Sequence, residues 1–203
     1  MAERLVDLLR HGETPGGARF RGRGNDPLTP RGWRQMEATL AICVANWTCV
    51  VHSPARRCAV FAQEWAARRQ VPAAMWDAFA ERDFGAWEDC APSAIPLSDL
   101  TRFWEDPGAY DPPGAEPFAT FQQRVLDGWR ALCAADEMRH ALLIAHGGVI
   151  RVLIGAVLGL TTAALPLLEV PHASLSRVRL PTAGGRPSLV FHGLTPFADG
   201  AAA

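Results

Sequence analysis

The chain has 203 residues, 49% of them hydrophobic and 20% charged, with a formal net charge of -1 when the histidines are neutral. That length buries about 70% of the unfolded chain's surface, so no disulfide or metal staple is required, and the composition is too apolar for a disordered chain. A near-zero net charge excludes a general nucleic-acid binder, which would be clearly basic, so any anion site must be local.

Residues 4–10, "RLVDLLR", read as a short buried strand running into Arg10-His11-Gly12-Glu13. "LTPRGWRQMEATLAICVANW" starts a helix, with Thr29 as cap and Pro30 in the first turn. Its Trp33, Met36, Leu40 and Val44 are spaced as one apolar face. "CVVHS" is the next strand. "SPARRCAVFAQEWAARR" repeats the pattern, with Ser53 expected as cap, Pro54 first, and Cys58, Phe61 and Trp65 inward. Between about 90 and 117 the chain is proline-rich, and only "LSDLTRFWED" reads as helix; this segment is expected as an insertion over the sheet's edge. The rhythm then resumes with the helix "EPFATFQQRVLDGWRALCAAD", the buried strand "HALLIAH" and the helix "GGVIRVLIGAVLG". "ASLSRVRL" and "PSLVFHG" read as closing strands joined by a hairpin turn at "TAGGRP", and "FADGAAA" as a loose tail. Alternating strands and helices predict an α/β fold, a three-layer sandwich with a mostly parallel sheet, in one domain over 1–203.

Cys43, Cys49, Cys58, Cys90 and Cys133 are odd in number and scattered, as suits reduced thiols rather than a secreted disulfide framework. No CxxC, HxxxH or HExxH spacing occurs, so no metal site is expected. The amino-terminal run lacks a cleavable signal pattern, and "GVIRVLIGAVLGL", interrupted by Arg151, is too short to span a membrane. A cytoplasmic protein is expected.

Three strands end in chemistry: Arg10-His11-Gly12, "HSPARR" and His146-Gly147-Gly148. Ligands of open α/β sheets bind at the carboxyl ends of the strands, where the following helices point free N–H groups outward and favour an anion. Two histidines and at least two arginines there can converge on one phosphate. Arg56 and Arg57 at a helix start oppose the helix dipole and make sense where an anion neutralises them.

The ordered motifs "LLRHGET", "DPLTPRGWRQM", "SPARRCA", "ERDFGAWE" and "IAHGGVIR" resemble the histidine phosphatase superfamily, with its phosphoglycerate mutase-like fold, from about residue 4 to 160. "ARFRGRGNDPLTPRGW", "RRCA" and "RFWEDP" most resemble its α-ribazole phosphatase branch, which removes phosphate from a cobalamin precursor. The resemblance implies a phosphomonoesterase that needs no metal or cofactor. It makes His11 the nucleophile that forms a phosphohistidine, Arg10 and Arg57 the forks on phosphate oxygens, His146 a further donor and Glu81 the general acid and base. Arg57 is preferred to Arg56, and Glu13 is expected to orient the arginines. Gly12 and Gly147 would let the backbone approach, with Thr14, Arg19, Arg21 and Gly22 contacting substrate. Many members carry Asn where this chain has Gly17, leaving that contact to Arg19, Arg21 or Thr14.

Cys133 in "CAADEMR" has the Cys-x5-Arg spacing of thiol phosphatases, but lies in a predicted helix, lacks glycine and places Asp136 and Glu137 at the phosphate position. No DxD strand end exists for an aspartyl-phosphate enzyme. A phosphoglycerate mutase, a broad-specificity phosphatase and an inactive phosphate-binding scaffold are the alternatives. Phe103, Trp104, Tyr110 and Phe118 are candidates to stack on a benzimidazole ring, and Glu81 paired to Arg82 is the competing structural role for that carboxylate. The expected partner is a small phosphate ester, with no nucleic acid or membrane and room for a homodimer.

Overall fold

The computed structural model describes residues 4–135, 138–181 and 185–196. Its six-stranded sheet comprises β1 (Arg4–Arg10), β2 (Cys49–His52), β3 (Ala73–Met75), β4 (His140–Ala145), β5 (Leu175–Leu180) and β6 (Ser188–Leu194), in the order β3-β2-β4-β1-β5-β6. The four strands from β3 to β1 are mutually parallel, β5 is antiparallel to β1, and β6 is antiparallel to β5. The helices are α1 (Pro30–Ile42), α2 (Arg56–Arg69), α3 (Leu97–Glu105), α4 (Phe118–Ala134) and α5 (Gly147–Leu158).

Side chains alternate between the two faces of each strand. Along β4, Ala141, Leu143 and Ala145 join Val6, Leu8, Phe121, Val125 and Leu153 in the core beneath α4 and α5. Leu142 and Ile144 face the opposite core, with Leu9, Met36, Leu40 and Phe61 of β1, α1 and α2. A strand covered on both faces has no polar side, which is why "HALLIAH" reads as an unbroken apolar run. The exception is Asp7, fully buried in β1, where Arg177 donates from Nε and Nη2 at 2.7 and 2.8 Å, Trp47 Nε1 at 2.8 Å, and His140 Nε2 lies at 3.0 Å.

Thr29 caps α1, its hydroxyl accepting the Gly32 N–H at 2.9 Å. Two expectations at the helices are corrected. Val44 lies past the end of α1 and is 96% exposed instead of completing its apolar face. Ser53 does not cap α2, which begins at Arg56 after Ala55 without a side-chain cap; its hydroxyl is drawn away to His146. β3, three half-exposed residues, carries too little apolar signal to be read from sequence. Residues 182–184 of the expected hairpin turn, the tail from 197 onward, and Asp136 and Glu137 lie outside the described residues. No described helix is long and apolar enough to cross a membrane.

Candidate active site

Strand order assembles the site. β2, β4 and β1 are adjacent and parallel, so Ser53, His146 and Arg10-His11, each at or just beyond a carboxyl end, stand side by side. β5 runs the other way and brings its amino-terminal end to the same edge, where Arg10 N–H donates to Ser174 O and Ala173 N–H to His11 O. His172 therefore arrives beside His11, with ring centroids 5.5 Å apart, while His146 lies edge-on to His11 at 5.3 Å. His172 was not among the sequence candidates; an antiparallel strand presents its start to a parallel site, and "VPHAS" carries no glycine turn to flag it.

His11 Nδ1 donates to the Gly12 carbonyl at 2.8 Å, because a carbonyl can only accept; this leaves the Nε2 lone pair available. Burial, then the neighbouring guanidiniums of Arg57 and Arg10, hold His11 well below the usual imidazole range. His146 is fully buried and likewise held neutral by burial and by Arg57, Arg10, Arg124 and Arg23; its Nε2 lies 2.6 Å from Ser53 Oγ. Arg10 donates from Nη1 to Val170 O at 2.5 Å and from Nη2 to His172 Nε2 at 3.0 Å. Burial, then Arg10 and Arg21, push His172 down to about 3.

Arg57 is fully buried, while Arg56 beside it is exposed. Its Nη1 donates to Gly24 O at 2.5 Å and its Nη2 to Arg21 O and Gly22 O at 3.1 and 3.0 Å, while Nε has no partner among the described residues. Glu88 completes this loop's support by accepting the N–H groups of Gly22, Arg23, Gly24 and Phe84.

Glu81 is 7% exposed and accepts the Arg82 N–H at 3.0 Å and the Gly148 N–H at 2.9 Å. A Cβ on Gly148 would lie 2.4 Å from Glu81 Oε1, so only glycine lets the carboxylate sit there. Arg124 holds the segment from below, donating to Ala78 O, Ala80 O and Glu81 O and pairing with Glu116. The Arg82 side chain turns away from the Glu81 carboxylate, its guanidinium reaching Asp111 and the Glu116 carbonyl, so the competing Glu81–Arg82 pairing is limited to a backbone bond.

A cavity of about 380 Å³ is lined by Arg10, His11, Glu81, Gly147 and His172, by Arg19, Arg21, Arg82 and Arg151, and by Phe20, Phe84, Phe103, Trp104 and Phe118, while His146 and Arg57, both fully buried, lie behind this lining. Segment 90–117, expected over the sheet's edge, instead contributes Pro92, Phe103, Trp104 and Pro107 to this cavity at the strands' carboxyl ends. Tyr110 does not line it; it packs on Trp87 beneath the Arg102 guanidinium. Both Arg19 and Arg21 do, but Arg19 donates to Gly16 O and Asp89, and Arg21 to Asp26 and the Pro15 and Gly17 carbonyls. Gly17 sits at φ 73°, with open space around it. Thr14 is buried with Oγ1 unpartnered among the described residues, and Gly22 joins the loop held by Arg57 and Glu88.

Two roles are corrected. Gly12 makes its close approach to α1 and not to the cavity, since a Cβ would fall 2.1 Å from Gly32 O. Glu13 accepts the Thr29 hydroxyl at 2.9 Å and faces Arg31 at the start of α1. Cys133 lies in α4, where burial raises its thiol to about 11. No group of three or more His, Cys, Asp or Glu residues among those described is placed to hold a metal ion.

The Mycobacterium tuberculosis bifunctional protein Rv2228c is 33% identical over 175 residues, covering 83% of this chain and 48% of that protein. The chain thus spans about half the length of the curated relatives it matches. The native structure of mycobacterial glucosyl-3-phosphoglycerate phosphatase Rv2419c superposes with a TM-score of 0.80 at 25% identity, covering 95% of this chain and 100% of that one. A putative α-ribazole-5'-P phosphatase from Escherichia coli has the same fold, with a TM-score of 0.80 at 23% identity over 95% of this chain and 97% of its own. Residues 6–193 match the family model described as histidine phosphatase superfamily (branch 1), and the chain belongs to that superfamily.

Proposed function

We propose that this chain is a metal-independent phosphomonoesterase working through a phosphohistidine on His11. The observation that carries the reading is the proton placement on His11: Nδ1 is committed to Gly12 O, leaving a neutral nucleophilic Nε2 beside Arg10, Arg57, His146 and His172. In the first step Nε2 bonds to phosphorus as the P–O bond to the alcohol breaks, and the Glu81 carboxyl gives its proton to the leaving oxygen. In the second, water attacks phosphorus, Glu81 takes its proton, the P–N bond breaks, and orthophosphate leaves with His11 neutral again. Arg10 and the buried Arg57 supply positive charge where phosphoryl oxygens spread theirs, which is most of what phosphoryl transfer asks of a protein.

The leading substrate is α-ribazole 5'-phosphate, a step of cobalamin biosynthesis, supported by the aromatic wall of Phe20, Phe84, Phe103, Trp104 and Phe118, which suits a flat apolar leaving group. A second reading is favoured by Arg82 Nη1, buried and unpartnered among the described residues in a side chain that lines the cavity. A leaving group bearing another anion, as in glucosyl-3-phosphoglycerate, would satisfy it.

The test is phosphate release from both compounds, 3-phosphoglycerate and an aryl phosphate in the presence of a chelator, beside a folded His11→Ala variant. Fast release from the ribazole compound, abolished in the variant, is expected. His11-dependent release from glucosyl-3-phosphoglycerate alone would favour the second reading. Release that survives in the variant would overturn the mechanism, and none from any compound would favour a phosphate-binding scaffold.

A further inference from the structure

Resting on the catalytic reading of His146, we infer that Ser53 is a positioning residue that fixes the tautomer of His146, presenting Nδ1–H as a neutral donor to the transferring phosphoryl group. The argument is a proton count in a closed space. Ser53 is fully buried, and its hydroxyl oxygen accepts the Ala55 N–H at 3.2 Å and lies 2.6 Å from His146 Nε2. The hydroxyl has one proton, and the ring nitrogen at 2.6 Å is a far better acceptor for it than the Cys58 sulfur nearby. Were Nε2–H the donor instead, the buried Ser53 proton would be left with that weak thiol acceptor, at a cost approaching that of an unmade hydrogen bond. Cys58 also neighbours the Ser53 hydroxyl, but a thiol sulfur is a weak acceptor beside an imidazole nitrogen, and its own S–H reaches Ala145 O at 3.6 Å.

With Nε2 accepting, the neutral ring carries its proton on Nδ1. That atom is buried and has no partner among the described residues. His11 and His146 therefore use opposite tautomers 5.3 Å apart, one with a free lone pair for phosphorus and one with a free N–H for a phosphoryl oxygen. A donor held in place before the substrate arrives costs no reorganisation during the reaction. The reversed tautomer would point a lone pair at the anion. The same arrangement explains why Ser53 is not spent on capping α2.

The groups facing His146 are Arg57, Arg10, Arg124 and Arg23, which oppose its protonation, with His11, Cys58 and Ser53 in contact. Removing the Ser53 hydroxyl takes the donor from Nε2 and lets the neutral ring carry its proton there, which leaves a lone pair on Nδ1 in place of the N–H.

The experiment uses the full chain labelled with 15N-histidine, with the tautomer read by long-range 1H–15N correlation near neutral pH, with and without inorganic phosphate. The expected result is a protonated Nδ1 and a bare Nε2 on His146 in the wild type, with the Nδ1 proton shifting when phosphate binds. Ser53→Ala is expected to give mixed tautomers and a kcat lowered about 10²-fold on an aryl phosphate. Ser53→Thr, which keeps the hydroxyl, restores both tautomer and rate. A wild-type His146 protonated on Nε2, or a Ser53→Ala enzyme with wild-type tautomer and kcat, overturns the inference. The spectra need no turnover: an inactive wild type would sink the phosphatase reading while the tautomer still decides the role of Ser53.

Discussion

Acidification probes the charge arrangement of the site directly. His11, His146 and His172 are all held neutral below an ordinary value of 6.5, first by burial and then by neighbouring arginines, His172 down to about 3. As pH falls through about 6.5, the unfolded chain takes up protons that the native chain refuses, so stability is complete above that pH and drains away below it. At about 1.4 kcal/mol per pH unit, one such histidine costs about 2 kcal/mol between about pH 6.5 and pH 5. Three set a ceiling of about 6 kcal/mol, a large share of the roughly 5–15 kcal/mol that holds a typical protein folded. Asp7 and Glu116, lowered from 3.8 and 4.5 despite burial by hydrogen bonds from Arg177 and Arg124 respectively, also lose stability with acid, but only below about pH 4.5. Between about pH 6.5 and 4.5 the three buried imidazoles therefore act before these two carboxylates do. Urea unfolding at several pH values across it should give a falling ΔG in the wild type. His172→Gln can still accept the Arg10 N–H without titrating, and should remove about a third of the slope. Saturating phosphate should flatten the curve, because an anion favours charged imidazoles. A wild-type ΔG that stays level from about pH 7.5 to 5, or a variant with the wild-type slope, would refute the assignment of these histidines as neutral.

Gly148→Ala drives a methyl group into the Glu81 carboxylate, which can swing aside; kcat should drop by about 10²-fold with a Tm near wild type, measured by aryl phosphate turnover and thermal melts. Arg177→Met strands the fully buried Asp7 carboxylate and should cost about 3–5 kcal/mol in urea unfolding, whereas adding Asp7→Asn should recover part of that loss. Glu88→Ala frees four backbone N–H groups of the loops around residues 22–24 and 84, and should weaken inorganic phosphate binding severalfold with a modest change in stability, as followed by titration calorimetry.

The parts of the fold legible in the sequence were those with one dominant signal. Thr29-Pro30 announces a helix start because cap and fixed φ act locally, and "HALLIAH" announces a doubly covered strand. Ser53-Pro54 carries the same local signature yet fails as a cap, because a buried imidazole from β4 competes for the hydroxyl, and no local pattern encodes a partner more than 90 positions away. The strand-end motifs exposed His11, the Arg56-Arg57 pair and His146 as candidates, since glycine turns and charge next to apolar runs mark them, whereas Glu81 and the choice of Arg57 came only from the family resemblance. His172 and Arg82 were invisible for the same reason in reverse: each is an ordinary polar residue until the antiparallel course of β5 or the folding of segment 76–117 brings it to the cavity, and Arg124 and Glu88 matter only through the loops they hold.

The position of β1 between β4 and β5 has a consequence for how the molecule is made. The first strand pairs on one side with residues from His140 to Ala145 and on the other with residues from Leu175 to Leu180. On a ribosome it must therefore wait, apolar and unpaired, while most of the chain is still being added. Contacts so distant in sequence make for slow closure, with the loop entropy spent before the pairing repays it. Nascent chains released before β4 emerges would lack both neighbours of β1, and those released before β5 would hold an open sheet edge. Such fragments should be recruits for chaperones and seeds for aggregation, and none should show partial turnover.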